Sequence, residues 1–356
     1  MRRKRLRELG ISIGTLPTGR VNAITDVPGV LVGHTTLIRD KPSVVRTGVT
    51  AIVPCRNIWT DNLFAGVFSF NGNGEMTGAH WINEAGLLTS PIAITNTNEV
   101  GTVRDALVAY AAKTGTMGHF CLPVAAETCD SFLNGPPRFP IRHEHVFTAL
   151  KSAKSGPVAE GCVGGGTGMI CHDFKAGIGT SSRVVSARGK TYVVGALVQA
   201  NYGERRFLRI DGVPVGRRLG HEEVPLPAFR LKPDKSIIVI LATDAPLIPT
   251  QCERLARRAT VGMAKCGGYG GNTSGDIFLS FSTGNVLPAQ SKKPLNIKML
   301  PHTELNPFFV AAADATEEAI LNSLCAAETM VGYKDRVVHA LPQDKLQEIM
   351  SESRGG

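Results

Sequence analysis

Gly267-Gly-Tyr-Gly-Gly-Asn-Thr-Ser274-Gly-Asp-Ile-Phe-Leu-Ser-Phe-Ser282 is the stretch on which the reading of this chain turns. Gly267, Gly268, Gly270, Gly271 and Gly275 allow backbone conformations that a Cβ forbids. Behind them Ile277, Leu279 and Phe281 alternate with Phe278, Ser280 and Ser282, the period-two pattern of a strand with one buried face. Ser274 therefore stands at the mouth of a strand, on a permissive backbone. A chain that cut itself there would expose a hydroxyl residue at a new N-terminus. A hydroxyl is a weak nucleophile until a base takes its proton, and the freed α-amine is a base carried by the same residue. Taken alone, however, the stretch reads as an ordinary tight turn feeding a core strand.

The composition narrows the choice. The 356 residues are 43% hydrophobic and 19% charged, which suits one large α/β unit or two average ones. Much of the net charge of +9 sits at the start, in Arg2, Arg3, Lys4, Arg5 and Arg7, which reads as a frayed, solvated end. No basic stripe is interleaved with aromatics, so nucleic acid is not an expected partner. The eight cysteines form no C-x-x-C pair and no zinc spacing, as expected of free thiols in a reducing compartment. No apolar run is long enough to span a membrane, and the apolar start is too short and broken for a signal segment. The expectation is a cytoplasmic protein without a membrane partner.

Periodicity predicts strands over 64–70, 87–94, 122–126, 190–199 and 236–242, and helices over 101–113, 145–154, 251–265 and 308–329. Residues 204–235, polar and proline-bearing, read as an exposed insertion. No repeat or linker divides the chain, and the order is not a regular βαβ alternation. Sheets covered by helices in one unit fit best.

Other constellations are weaker. Gly161-Cys-Val-Gly-Gly-Gly-Thr-Gly168 lacks the Gly-Lys-Ser/Thr ending of a phosphate loop and reads as close backbone packing. His143-x-His145 has no third ligand nearby, so no metal is expected. In Glu127-x-Cys129 the carboxylate would raise the thiol pKa, which argues against a reactive thiolate. Asn201, at a strand's end, has an amide able to donate to an oxyanion, although a turn-forming Asn serves there equally.

Ten segments then fall in order along the chain. They are Leu16-Pro-Thr-Gly19, Asn22-Ala-Ile-Thr-Asp-Val-Pro-Gly29, Val32-Gly-His-Thr-Thr36, Asn71-Gly-Asn-Gly-Glu-Met-Thr-Gly78 and Thr95-Asn-Thr97 with Val100-Gly101. Glu127-Thr128, Gly164-Gly-Gly-Thr-Gly-Met169, Val198-Gln-Ala-Asn201, Ser274-Gly-Asp-Ile-Phe278 and Ala315-Thr-Glu-Glu-Ala-Ile320 follow. Together they resemble the DmpA-like aminopeptidases, the L-aminopeptidase/D-amidase-esterases and β-peptidyl aminopeptidases. The resemblance implies a four-layer α/β/β/α sandwich like that of the N-terminal-nucleophile hydrolases. It also implies self-cleavage of the Thr273–Ser274 bond, giving an α chain 1–273 and a β chain 274–356.

By the same resemblance Ser274 is the nucleophile, Asn201 the oxyanion donor and Glu317 a carboxylate orienting the Ser274 amine. An α-amine has an ordinary pKa of about 7.7–8.0, suited to a base. Glu127 and Cys129 would line the substrate pocket, with Glu127 opposite the substrate ammonium. Substrates would be short peptides or aminoacyl amides and esters with a free amino end. No cofactor is implied, and a homo-oligomer, a tetramer of αβ units, is. Three positions depart from the pattern: Thr273 replaces a usual Gly or Asn, Cys129 a Tyr or Trp, and Ala315 a Ser. Two other readings stand beside this one. One is an acyltransferase of the ornithine acetyltransferase type with Thr273 as nucleophile; the other is an unprocessed, non-catalytic homologue.

Overall fold

Two β-sheets lie face to face between two layers of helices in a computed structural model that describes residues 3–116, 120–136, 139–228 and 235–354. The smaller sheet holds β1 (Leu31–Arg39), β2 (Val45–Val53), β5 (Ile92–Asn96) and β6 (Val124–Thr128), in the order β1-β2-β5-β6. The larger holds β3 (Asp61–Gly72), β4 (Leu87–Leu88), β9 (Ile178–Ala187), β10 (Lys190–Asn201), β11 (Ser236–Thr243) and β12 (Gly275–Pro288). Its order is β4-β3-β12-β11-β10-β9, antiparallel except for the parallel pair β11–β12. Two short hairpins pair β7 (Ile170–Cys171) with β8 (Phe174–Lys175), and β13 (Met330–Val331) with β14 (Val337–Val338).

Helices α2 (Val100–Lys113) and α3 (His143–Ser152) cover the smaller sheet. On the far side, α5 (Pro249–Ala256) and α7 (Asn306–Ala326) cover the larger sheet, with α6 (Ala259–Lys265) packed on α7. The peripheral helices are α1 (Ala79–Ala85), α4 (Val215–Arg218) and α8 (Gln343–Arg354). The expected four-layer α/β/β/α sandwich is the observed one. No helix among the described residues is long and apolar enough to cross a membrane.

Each layer boundary is an apolar core. Ile237, Val239 and Leu241 of β11 face the helices, while Ile238, Ile240 and Ala242 face the smaller sheet. A strand buried on both faces needs a continuous apolar run, and Ile237 to Ala242 is one. β12 is also buried on both faces, against the one-faced strand expected from its serines. Ser280 and Ser282 are tolerated inside because their hydroxyls donate to the Cys252 and Ala245 carbonyls. An unpaired hydroxyl there would cost about 1–3 kcal/mol.

Several expectations give way to packing. The strand expected over 87–94 is two strands, β4 and β5, in different sheets; Pro91 between them lacks the N–H a ladder needs. The helix expected over 251–265 breaks at Arg257-Arg258. Its first half lies on β3, where a Cβ on Gly66 would meet Glu253 N at 2.3 Å. Its second half lies on α7, where a Cβ on Gly262 would meet Ala313 O at 2.5 Å. Residues 204–235 are not an exposed insertion: Leu208, Ile210, Val215, Leu219 and Val224 are buried in the helix-side core. Positions 229–234 of that stretch lie outside the described residues.

The basic start is not frayed either. Leu6 is fully buried, and Arg3 donates to the Cys325 and Leu341 carbonyls. Arg5 pairs with Glu160 at 2.6 Å, and Arg7 with Glu318 at 2.8 Å. Glu318 also holds Arg183 at 2.7 Å, with both side chains fully buried, and accepts from Asn22 Nδ2 at 2.6 Å. Charge counting along the sequence could not show this, because Glu160, Glu318, Cys325 and Leu341 all lie more than 150 residues away.

Removing one member of a buried pair leaves the other charge uncompensated. Glu318→Gln is therefore expected to lower the free energy of urea-induced unfolding by about 3–5 kcal/mol. The exposed Arg257–Glu253 pair, broken by Glu253→Gln, should cost no more than about 1 kcal/mol. Burial alone would raise the Glu318 pKa, but the Arg7, Arg183 and Asn22 contacts win and hold it below the ordinary range. Its contribution is thus full above the ordinary carboxylate pKa and fades as pH falls through the lowered value. Acid unfolding of the Glu318→Gln variant should show correspondingly less pH dependence there.

Candidate active site

Asn201, Ser236, Gly275 and Gly72 are successive Cα partners in one row across the larger sheet, on β10, β11, β12 and β3. Neighbouring strands are about 4.8 Å apart, so Asn201 and Gly275 stand roughly 10 Å from one another along that row. Beyond it two glycine turns close on each other. A Cβ on Gly275 would meet Asn73 O at 2.4 Å, and one on Gly74 would meet Gly275 Cα at 3.1 Å and Glu127 Oε1 at 3.2 Å. At Gly275 only bare backbone fits, and at Gly74 the approach is tight. Across it Asn71 Nδ2 donates to Gly271 O at 2.8 Å, Asn73 N to Ser274 O at 3.3 Å, and Asn73 Nδ2 to Thr273 O at 2.7 Å.

Ser274 is buried, and its hydroxyl donates to Asp276 Oδ1 at 2.7 Å. Its backbone N–H donates to Gly271 O at 3.0 Å. Asp276 also accepts from Asn71 Nδ2 at 3.3 Å. Burial lifts the Asp276 carboxyl above its ordinary range, against the lowering effect of the Ser274, Asn71 and Ile237 hydrogen bonds. The sequence reading did not single out Asp276 as functional. The signal was present in the i, i+2 spacing from Ser274, which returns a strand side chain to the same face.

The second wall comes from the smaller sheet. Glu127, near the end of β6, is only 1% exposed. Its carboxylate accepts from Glu75 N at 2.9 Å and from the Thr97 hydroxyl, both neutral donors. Burial raises its pKa above the ordinary range despite those two bonds. Asn201 Nδ2 donates to Cys129 O at 2.9 Å, and its Oδ1 accepts from Ile170 N at 2.8 Å. The Cys129 thiol donates to Ser131 Oγ at 3.2 Å, and burial pushes its pKa up, so it is a protonated wall group. Gln199 Nε2 bonds Thr95 O and Thr128 Oγ1, tying β10 to β5 and β6 beside the site.

The remaining carboxylate of the expected site is Glu317. It lies on α7 and pairs with Lys265 Nζ at 3.0 Å; Lys265 also holds Asp314 at 2.8 Å. The structure therefore joins Asn201 to Cys129 directly and brings Glu127 to the turn crossing beside Ser274. It gives Glu317 a cationic partner of its own. Thr273 is exposed, and Ala315 is fully buried. Tyr202, Lys235, Tyr269, Thr273, Ser274 and Asp276 border a cavity of about 210 Å³. Among the described residues no group of three His, Cys, Asp or Glu could hold a metal ion.

The loop leading to Ser274 has little latitude. Gly267 sits at φ +95°, where a Cβ would come within 1.8 Å of Phe207 O, whereas a Cβ on Gly271 would meet open space. Gly267→Ala should lower the unfolding free energy by about 1–3 kcal/mol from backbone strain alone, more with the clash. Gly271→Ala should stay within about 0.5 kcal/mol of wild type. Thermal unfolding of the two variants side by side checks the contrast.

Comparison with known proteins adds independent findings. The profile of peptidase family S58 matches residues 22–338. A β-peptidyl aminopeptidase of Sphingosinicella microcystinivorans is 44% identical over 367 residues, covering 98% of this chain and 92% of the relative. Among solved structures, a β-aminopeptidase of a Burkholderia species superposes with a TM-score of 0.92 at 50% identity, covering 98% of this chain and 99% of that one. The L-aminopeptidase D-Ala-esterase/amidase of Ochrobactrum anthropi superposes with a TM-score of 0.91 at 44% identity, covering 98% and 99%. That enzyme is described as a prototype of the serine aminopeptidases and a variant of the N-terminal-nucleophile hydrolase fold.

Proposed function

The chain belongs to peptidase family S58 and is a serine aminopeptidase of the DmpA type, and from that premise we propose that Ser274, freed by self-cleavage after Thr273, is its nucleophile. The observation that carries the reading is Glu127. A buried carboxylate held by neutral donors, at the crossing beside Ser274, has no compensating cation among the described residues. A substrate ammonium supplies that cation, with charge-assisted hydrogen bonds. Glu127 thus selects a free amino end and sets the first carbonyl against Ser274.

In turnover the Ser274 hydroxyl attacks that carbonyl and passes its proton to its own α-amine. The amine returns a proton to the leaving group, and water then releases the acyl group by the same route. Of the two Asn201 amide hydrogens, one holds Cys129 O; the other is the donor assigned to the oxyanion. Glu317, matched by its Ala315-Thr-Glu317 segment and held by Lys265 before cleavage, is the carboxylate assigned to orienting the new amine. The reading with Thr273 as nucleophile has less support, because the hydroxyl hydrogen-bonded to a carboxylate is that of Ser274.

Substrates on this reading are short peptides and aminoacyl amides or esters. β-Aminoacyl amides belong among them, since two relatives are named for that specificity. The small Cys129 leaves room at the acyl side. Trp81, Phe120 and Leu122 are exposed around a hollow of about 720 Å³, which supports a homo-oligomer, a tetramer of αβ units in this reading.

A panel of aminoacyl and β-aminoacyl p-nitroanilides, each with its N-acetylated counterpart, tests the proposal. Free-amine substrates should turn over and acetylated ones should not. Asn201→Ala should lower kcat by about 10²–10³-fold. Glu127→Gln should act mainly on KM, raising it at least tenfold. Equal turnover of acetylated substrates would remove Glu127 from the amino-end role.

A further inference from the structure

We propose that Asp276 and Asn73 form a separate apparatus for self-cleavage: Asp276 takes the Ser274 hydroxyl proton, and Asn73 holds the Thr273 carbonyl oxygen as it becomes an oxyanion. This rests on the reading above that the Thr273–Ser274 bond is the one cut. It concerns the step that the turnover mechanism cannot perform. In the uncut chain the Ser274 nitrogen is an amide whose N–H donates to Gly271 O, so it has no lone pair to act as a base. The first cut therefore requires another base.

Geometry supplies one. Asp276 Oδ1 accepts from Ser274 Oγ at 2.7 Å, the distance a general base needs. The other two carboxylates discussed are engaged elsewhere, Glu127 by Glu75 N and Thr97, Glu317 by Lys265. Asn71 fixes Asp276 while also binding Gly271 O, so one amide aligns the carboxylate with the loop that carries the bond. Burial lifts the Asp276 pKa, which makes its carboxylate a stronger base than an exposed one. The carbonyl to be attacked is equally defined: Thr273 O accepts from Asn73 Nδ2 at 2.7 Å. That bond strengthens as negative charge grows on the oxygen. The Thr273 carbonyl is held by Asn73 and not by Asn201, the donor assigned to turnover, whose Nδ2 donates to Cys129 O and whose Oδ1 accepts from Ile170 N.

The step balances with water as the sole co-reactant. Ser274 Oγ gives its proton to Asp276 and bonds to the Thr273 carbonyl carbon, and the oxygen becomes an anion held by Asn73. The carbon–nitrogen bond breaks and the nitrogen takes the proton back from Asp276. The product is an ester between the Thr273 carbonyl and the Ser274 hydroxyl. Water hydrolyses it, leaving the Thr273 carboxylate and a Ser274 with free hydroxyl and amine.

Cleavage is followed by denaturing intact mass in freshly purified full-length wild type, Asp276→Asn, Asn73→Ala and Ser274→Ala, each with and without hydroxylamine. Hydroxylamine captures the ester as a hydroxamate at Thr273 but does not attack an amide at neutral pH. Asp276→Asn and Asn73→Ala should each cut at least ~10²-fold more slowly than wild type. Hydroxylamine should not rescue them, because the ester is never formed. Their thermal midpoints should match that of uncut Ser274→Ala. Should Asp276→Asn fail to fold, Asn73→Ala, on an exposed turn, decides the matter. Wild-type cutting with both variants equally fast overturns this inference and leaves the parent reading intact. Slow variants rescued by hydroxylamine also overturn it, since they then act on ester hydrolysis. An uncut wild type overturns both.

Discussion

Two turns of backbone meet at Gly275 with no space for a side chain between them, and the site depends on that contact. Asn71 to Gly74 runs out of the end of β3, and Gly270 to Ser274 precedes β12; β3 and β12 are neighbours in the larger sheet. Because Gly74 and Gly275 lack Cβ atoms, the amides of Asn71 and Asn73 reach Gly271 O and Thr273 O, and Glu127 from the opposite sheet reaches the same crossing. A methyl at Gly275 would separate the turns. The hydroxyl, its carboxylate partner and the neighbouring carbonyl would then lose their common frame.

That frame is held by charge and hydrogen bonds placed where apolar packing alone would leave the sheets free to slide. Gln199 bridges the two sheets from inside the sandwich, next to Asn201. On the far side Glu318 gathers Arg7, Arg183 and Asn22, anchoring the start of the chain to α7 and β9. Buried charges of this kind are costly unless every partner is present. The adjacent glutamates of α7 divide the work: Glu318 faces the arginines, and Glu317 faces Lys265 on α6.

Much of this was legible in the sequence, for identifiable reasons. The continuous apolar run of β11 and the alternation in β12 reflect local periodicity, which survives into the fold. The segments resembling the DmpA-like family include 71–78, Glu127-Thr128 and 274–278, and the fold brings these three to one crossing. What the sequence hid were contacts between distant residues. The arginines of the start look solvated until Glu160 and Glu318 are brought beside them. Ser280 and Ser282 look like an exposed face until the Cys252 and Ala245 carbonyls cover them. Asp276 carries no distinguishing mark in the sequence beyond its spacing from Ser274; the strand geometry turns its carboxylate onto Ser274. The break at Arg257-Arg258 has no glycine or proline to announce it, because it answers the positions of β3 and α7.

The central claim is that Ser274 carries a free α-amine. N-terminal sequencing of the purified wild-type protein measures this directly. The account predicts a second sequence beginning Ser-Gly-Asp-Ile-Phe, in equal yield with the one from the start of the chain. A single sequence from the chain start, or a second one beginning at Thr273, would contradict it.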